Sequence, residues 1–160
     1  MSERAVSRLP LTLLTTWHAW LAGAFLVAYV TADEDTYAMH QFAGYAVLGA
    51  IVVRLLGGLA APDGSLWRLK RPSLTAGLAW LKARKGRHPL FAWFAAALLI
   101  VVGLVAGAGA AADWVGWMED PHEAIAEASL WLIFGHIAFV TVMHGRKWFG
   151  RLVHRGEGAR

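Results

Sequence analysis

Four long apolar stretches do most to limit what this chain can fold into. A helix needs about 20 apolar residues to cross roughly 30 Å of hydrocarbon. Four stretches of about that length run over residues 10–32, 40–59, 89–108 and 125–143. With 58% hydrophobic and 16% charged residues among its 160, the chain is too apolar for an ordinary soluble domain. We therefore predict an all-α membrane protein, in which residues 1–160 form one domain built as a bundle of four transmembrane helices.

The charged residues divide between the two ends of these stretches. All 15 Lys and Arg residues lie before the first stretch, between Arg54 and the start of the third, or after the fourth. Eight of the 11 Asp and Glu residues lie in or beside the other two connections. Basic segments stay in the cytoplasm by the positive-inside rule. We expect a multi-pass protein of the bacterial inner membrane, surrounded by lipid, with both termini in the cytoplasm and no nucleic-acid partner.

The connection between the second and third stretches is long enough to hold an element of its own. Pro72 and Ser73 form a helix start signal, and residues 74–83 after them have a helix-like composition. We predict a short surface helix there. In the third stretch, Gly103 and Gly107 have the small-xxx-small spacing that is typical of close helix packing.

Four histidines lie within or at the ends of the apolar stretches, where a costly ionisable side chain marks a candidate functional site. His18 and His136 are each about eight residues, or roughly 12 Å, from the cytoplasmic end of their stretch. His40 and His122 lie at the opposite end of theirs. The four histidines therefore form two pairs, each matched in depth.

The fourth helix, with His122 at its start, contributes one histidine to each pair. His122 and His136 are 14 residues apart, almost four helical turns, so they share a helix face and stand about 21 Å apart along it. No cysteine is present, which excludes iron–sulfur clusters and covalently attached haem. The pattern predicts two b-type haems with histidine as the axial iron ligands, one on His18 and His136 and the other on His40 and His122.

Neighbouring residues suit a flat macrocycle. Small residues stand four positions after three of the histidines, on the same helix face: Ala22, Gly44 and Ala126. Arg54 is 14 residues after His40, near the cytoplasmic end of its helix, where it could pair with a haem propionate. The alternative for Arg54 is a side chain that snorkels to the membrane surface.

Other interpretations of the histidines stay open. A histidine inside a membrane can be a hydrogen-bonded packing residue. Zinc is a second alternative, although a structural zinc site needs about four clustered ligands and these residues form separated pairs. A metal-ion transporter or a scaffold bundle is a third, but a transporter needs polar groups at the membrane midplane, where this chain has almost only Ala, Val, Leu, Ile and Gly.

Four segments carry a family resemblance: WH at 17–18, MHQFAGYAVLGAIVVRLLGG at 39–58, RHPLFAW at 87–93 and PHEAIAEASLWLIFGH at 121–136. They resemble the prokaryotic cytochrome b561 superfamily, which includes the cytochrome b subunits of nickel–iron hydrogenases and related di-haem cytochromes b. The resemblance implies haem ligands at His18, His40, His122 and His136. It also implies electron exchange between the membrane quinone pool and a periplasmic redox partner, such as a cytochrome c or an enzyme subunit. Many members end the fourth helix with adjacent histidines, where this chain has Met143 and His144.

These features favour a transmembrane electron-transfer protein of the respiratory chain, acting alone or as the membrane subunit of an oxidoreductase. His144, Arg71 and Trp148, with the basic middle connection, are candidates for a quinone site. The alternative function is a superoxide:quinone oxidoreductase. An outer surface that attracts superoxide should be basic, yet the outer connections carry acids and no Lys or Arg. Acidic connections instead suit the docking of a basic cytochrome c.

Overall fold

The computed structural model describes residues 3–83 and 88–157, with side chains over residues 9–75, 77–82 and 88–145. The described chain is mainly helical and contains no strand. Five α-helices follow one another: α1 (Glu3–Val30), α2 (Tyr37–Ala60), α3 (Leu74–Ala83), α4 (Leu90–Ala112) and α5 (Glu119–Glu157). Short 3-10 turns over Glu34–Thr36 and Gly116–Met118 connect α1 to α2 and α4 to α5.

Four of these helices are long and apolar enough to cross a membrane, over Leu9–Val30, Glu34–Ala60, Leu90–Ala112 and Gly116–Gly145. The predicted all-helical, multi-pass architecture is confirmed to this extent. The helices extend beyond the predicted apolar stretches, because polar residues continue a helix after the hydrocarbon layer ends. Pro10 lies inside α1, where a helix start was predicted. Pro121 lies in the first turn of α5. The N–H groups of a first turn have no acceptor within the helix, so the N–H that proline lacks costs no helical hydrogen bond here.

The connections give the bundle two chemically different ends. The 3-10 turns lie at one end, next to Asp33, Glu119 and Asp120, and we call this end the acidic side. The connection over residues 61–73 and α3 lie at the other end, which we call the basic side. The predicted surface helix is confirmed, because α3 spans Leu74–Ala83.

The long connection folds back onto the end of α2. A Cβ on Gly57 would lie 3.1 Å from the Trp67 ring, so the glycine lets that indole approach the helix. Gly64 has a φ of 86°, a left-handed conformation that favours glycine, and it turns the chain before Trp67. Arg68 donates a hydrogen bond to the carbonyl of Ala61 at 2.8 Å and ties the connection together.

The membrane helices pack in a row. α1 packs on α2, α2 on α4 and α4 on α5, whereas within the described residues α1 and α5 share no extensive contact. The buried core lies at the middle of this row, where α2 and α4 meet and α1 covers them: Val47, Ile51, Val102 and Ala106, with Leu21, Ala24 and Phe25 against them. Gly103 borders this contact, since a Cβ there would lie 3.5 Å from Ile51. Gly107 borders open space, so the close packing expected at both glycines is found only at Gly103.

We expect Ile51→Ala to lower the free energy of unfolding by about 2 kcal/mol, the low end of the usual range for core Ile. Its side chain is 4% exposed, so its removal leaves a cavity between α2 and α4. Burial from lipid supplies little hydrophobic transfer energy, and the cost is mainly lost packing. Ile100→Ala is the matched control, because Ile100 is 61% exposed on α4. Reversible unfolding in detergent measures both, and equal costs would contradict the packing described above.

Candidate functional site

The four intramembrane histidines meet as two pairs. His18 of α1 faces His136 of α5, with ring centres 6.4 Å apart. His40 of α2 faces His122 of α5, with ring centres 6.0 Å apart. We call them the basic-side pair and the acidic-side pair. The structure therefore brings together the residues that were paired from their depth in the sequence.

The spacing within each pair suits a metal ion between two imidazoles. A metal–nitrogen bond of about 2.0 Å, plus about 1.2 Å from the nitrogen to the ring centre, separates the centres of two opposed ligands by about 6.4 Å. Both observed separations are close to this value. No cluster of three or more His, Cys, Asp or Glu that could hold a metal ion occurs among the described residues. Two-ligand sites fit a metal whose other ligands come from a cofactor, as in haem, better than they fit zinc.

Backbone carbonyls orient the acidic-side pair. The His40 Nδ1 lies 2.7 Å from the carbonyl oxygen of Ala28, and the His122 Nδ1 lies 3.0 Å from that of Val105. A carbonyl oxygen can only accept, so each Nδ1 carries the hydrogen and donates it. In a neutral imidazole the Nε2 then holds the lone pair that can ligate a metal. Such a bond from the non-ligating nitrogen is the usual second contact of a metal-binding histidine.

Local backbone structure makes these two acceptors accessible. α1 ends at Val30, so the Ala28 carbonyl belongs to the last turn and has no helical N–H partner. The Val105 carbonyl lies inside α4 and uses its second lone pair for His122. Gly109, one turn further along α4, leaves the space for that ring: a Cβ there would lie 2.9 Å from the His122 Cε1.

A cavity of about 670 Å³ surrounds the acidic-side pair. This volume lies within the range of roughly 300–1,000 Å³ found for small-molecule and cofactor sites. Residues from α1, α2, α4 and α5 line it, and many are small, including Ala28, Gly44, Gly109, Ala110 and Ala126. Gly44 and Ala126, predicted to leave room beside the histidines, both belong to this lining. Ala22 does not, since it lies deeper on α1.

The polar part of the cavity lining is acidic. Its carboxylates are Asp113, Glu119, Glu123 and Glu127, and it includes no Lys or Arg. Tyr37 and Tyr45 donate hydrogen bonds to the two oxygens of Asp113 at 3.1 and 2.7 Å. The hydrogen bonds from Tyr45 and Gln41 hold the pKa of Asp113 below its ordinary value. Asp113 is therefore an ionised carboxylate at the mouth of the cavity.

One aromatic ring lies beside each histidine of the basic-side pair. The Trp17 ring centre lies 6.4 Å from that of His18, and the Phe94 ring centre lies 5.7 Å from that of His136. Trp17 is fixed by a 2.8 Å hydrogen bond from its indole nitrogen to the carbonyl of Ala50. The His136 Nδ1 is buried and has no hydrogen-bond partner among the described residues. A buried nitrogen without a hydrogen-bond partner costs about 1–3 kcal/mol. A group that bound at this pair and formed a hydrogen bond with this nitrogen would remove that cost.

Arg54 lies beside the basic-side pair, between two indoles. Its guanidinium carbon is 5.7 Å from the centre of the Trp17 ring and 5.5 Å from that of Trp67. Its Nη1 donates to the carbonyl of Trp67 at 2.7 Å. Arg54 is thus held by cation–π contacts within the protein. Its pairing with a propionate stays a prediction.

The residues predicted for a quinone site are not brought together by any contact within the described part of the chain. The His144 Nδ1 donates to the carbonyl of Val140 at 2.9 Å, within α5. Arg71 is exposed in the connection before α3. The side chain of Trp148 lies outside the described residues. His88 has a role that was not foreseen: its Nδ1 accepts a hydrogen bond from Leu90 N–H at the start of α4.

Several residues of the site were missed from the sequence. Tyr37, Gln41 and Tyr45 follow one another at four-residue intervals along one face of α2, and this spacing could have identified them. Gly109 could not be identified in this way, because glycine occurs in apolar helices for many different reasons. The carbonyl acceptors of Ala28 and Val105 depend on contacts between helices. They could not be predicted, because every residue has a carbonyl and the residue type does not show which one accepts.

Comparison with known protein families, curated proteins and solved structures finds no match for this chain. The geometry of its own residues therefore carries the functional inference.

For the haem predicted from the sequence at the acidic-side pair, we expect Gly109→Ala to lower the affinity by about 10–100-fold, the usual effect of disturbing the support of a metal ligand. The new Cβ would force the His122 ring away from the Val105 carbonyl. Gly107→Ala is the control on the same helix, because a Cβ there meets nothing within 4 Å. Haem titration of the purified apoprotein measures both variants, and equal losses would contradict a specific contact at Gly109.

Proposed function

We propose that this chain is a transmembrane electron-transfer protein, a di-haem cytochrome b. The observation that carries the proposal is the presence of two histidine pairs at two depths along one helix, with ring centres 6.4 and 6.0 Å apart. The resemblance of the sequence to the prokaryotic cytochrome b561 superfamily supports the same function. Bound haem would supply a reversible one-electron change at each pair.

The chain supplies the ligands, their orientation and the space around them. His18 and His136 would hold one haem, and His40 and His122 the other. Hydrogen bonds to carbonyls orient the rings of the acidic-side pair, both rings line the cavity, and the small residues of the lining leave room for a macrocycle.

The two sides of the bundle would meet different partners. We assign the basic side to the cytoplasm of a bacterial cell, by the positive-inside rule. The quinone pool would exchange electrons near the basic-side pair, with His144, Arg71 and Trp148 as candidate contacts. The acidic side would face the periplasm, where carboxylates favour a basic cytochrome c or the basic surface of an enzyme subunit. The same carboxylates would repel superoxide, which weighs against a superoxide:quinone oxidoreductase.

A pyridine haemochrome assay on the purified protein tests the proposal. We expect about two b-type haems per chain, because each histidine pair provides two axial ligands. Protein that was expressed with adequate haem supply and bound none would refute the proposed function.

Single histidine substitutions test the assignment of ligands. His40→Ala or His122→Ala should reduce the haem content to about one per chain, and His18→Ala or His136→Ala should do the same at the other pair. His88→Asn is the control, since the asparagine Oδ1 occupies the position of the histidine Nδ1 and can still accept the hydrogen bond from Leu90 N–H. Loss of a haem in this control variant would show that the pairs are assigned wrongly.

Cysteine labelling tests the orientation, because the natural chain has no cysteine. Ser73→Cys lies on the basic side and Asp120→Cys on the acidic side. In intact cells a membrane-impermeant maleimide should label Asp120→Cys at least 10-fold faster than Ser73→Cys, by the positive-inside rule. The reverse preference would invert the assigned orientation and leave the histidine pairs unaffected.

A further inference from the structure

The two histidine pairs have opposite electrostatic surroundings. We propose that the carboxylates and backbone acceptors of the acidic-side pair give its haem the lower midpoint potential of the two. The inference rests on the proposed function and adds to it the order of the two potentials: the acidic-side haem would pass electrons on, and the basic-side haem would retain them.

Negative charge near the acidic-side pair stabilises oxidised iron. Oxidation adds one positive charge to a haem, and nearby carboxylates lower the energy of that state by Coulomb attraction. Asp113 and Glu127 both line the cavity that surrounds His40 and His122. Asp113 is held in place by two tyrosine hydroxyls and is close enough to interact electrostatically with His40.

The hydrogen bonds from the histidines to backbone carbonyls also lower the midpoint potential. A histidine that donates from Nδ1 to a carbonyl becomes a more basic ligand at Nε2. Both histidines of the acidic-side pair make such a bond. More basic axial ligands favour oxidised over reduced iron. In the basic-side pair the Nδ1 of His136 makes no such bond within the described residues.

The surroundings of the basic-side pair favour reduced iron. Trp17 and Phe94 lie beside its histidines, and apolar rings solvate an added positive charge poorly. The Arg54 guanidinium carbon lies 5.7 Å from the centre of the Trp17 ring, which is itself the neighbour of His18. A cation on this side of the protein also disfavours oxidation. Charge, ligand basicity and solvation therefore all give the same order of potentials.

Downhill electron transfer then runs from the acidic side to the basic side. A one-electron donor bound at the acidic side would be oxidised, and each electron would pass to the basic-side pair. Two such electrons, with two protons from water on the basic side, would reduce one quinone to quinol. The donor is a reduced one-electron carrier or an enzyme subunit that presents one.

Spectroelectrochemical titration of the purified holoprotein tests the order of potentials. His40→Met and His18→Met identify the two transitions, because a methionine ligand raises the potential of the haem that it binds. The transition that moves in His40→Met should be the lower one in the unsubstituted protein. If it is the higher one, or if the two coincide, the proposal is wrong while the di-haem function stands. Protein without haem would refute the function itself.

Carboxylate substitutions test the cause. Asp113→Asn and Glu127→Gln should each raise the lower potential and leave the higher one unchanged. Asp33→Asn and Glu34→Gln are the matched controls, since these acids lie on the same side but do not line the cavity. We expect a smaller shift in the controls, because water and salt screen exposed charges that do not line the cavity. If the cavity variants shift neither potential, or shift both equally, the carboxylates do not set the difference.

Discussion

The pairing of histidines across the gap between helices is the interaction on which the arrangement of this protein depends. α1, α2, α4 and α5 pack as a row, and the buried core holds only the middle of that row together. The two ends of the row approach each other through His18 and His136. The residues that line an empty space in a protein interior lose the dispersion contacts that a filled space would give them. The space between α5 and the helices opposite it is therefore consistent with a bundle that is completed by a bound group.

Lipid makes every polar group in this interior costly, and the chain deals with its histidines in two ways. On the acidic side the imidazoles donate to carbonyls, one at a helix end and one exposed by a glycine. On the basic side an aromatic ring lies beside each imidazole, and the buried Nδ1 of His136 has no hydrogen-bond partner among the described residues. The rings of the acidic-side pair are therefore each fixed by a hydrogen bond, whereas the His136 ring is positioned by packing.

The architecture and the histidine pairs could be predicted from the sequence because both follow from counting along a helix. Apolar length sets the number of crossings, and the 14-residue interval sets His122 and His136 on one face of α5. The supporting contacts could not be predicted in the same way. The bond from His122 to Val105 depends on the rotation and separation of α4 and α5, and the role of Gly109 appears only when that distance is known. The lengths of the helices were underestimated, because hydropathy shows where the hydrocarbon layer ends, whereas the backbone hydrogen bonds of a helix continue into water.

α5 is the one helix that both sites share, and this has a consequence for how the chain can vary. Each inserted residue between His122 and His136 would rotate the second histidine by about 100° around the helix axis and move it by about 1.5 Å along it. One insertion or deletion would therefore turn one imidazole away from its partner while leaving the other in place. The interval between the two histidines must therefore keep its length, so this segment can change by substitution but not by insertion or deletion.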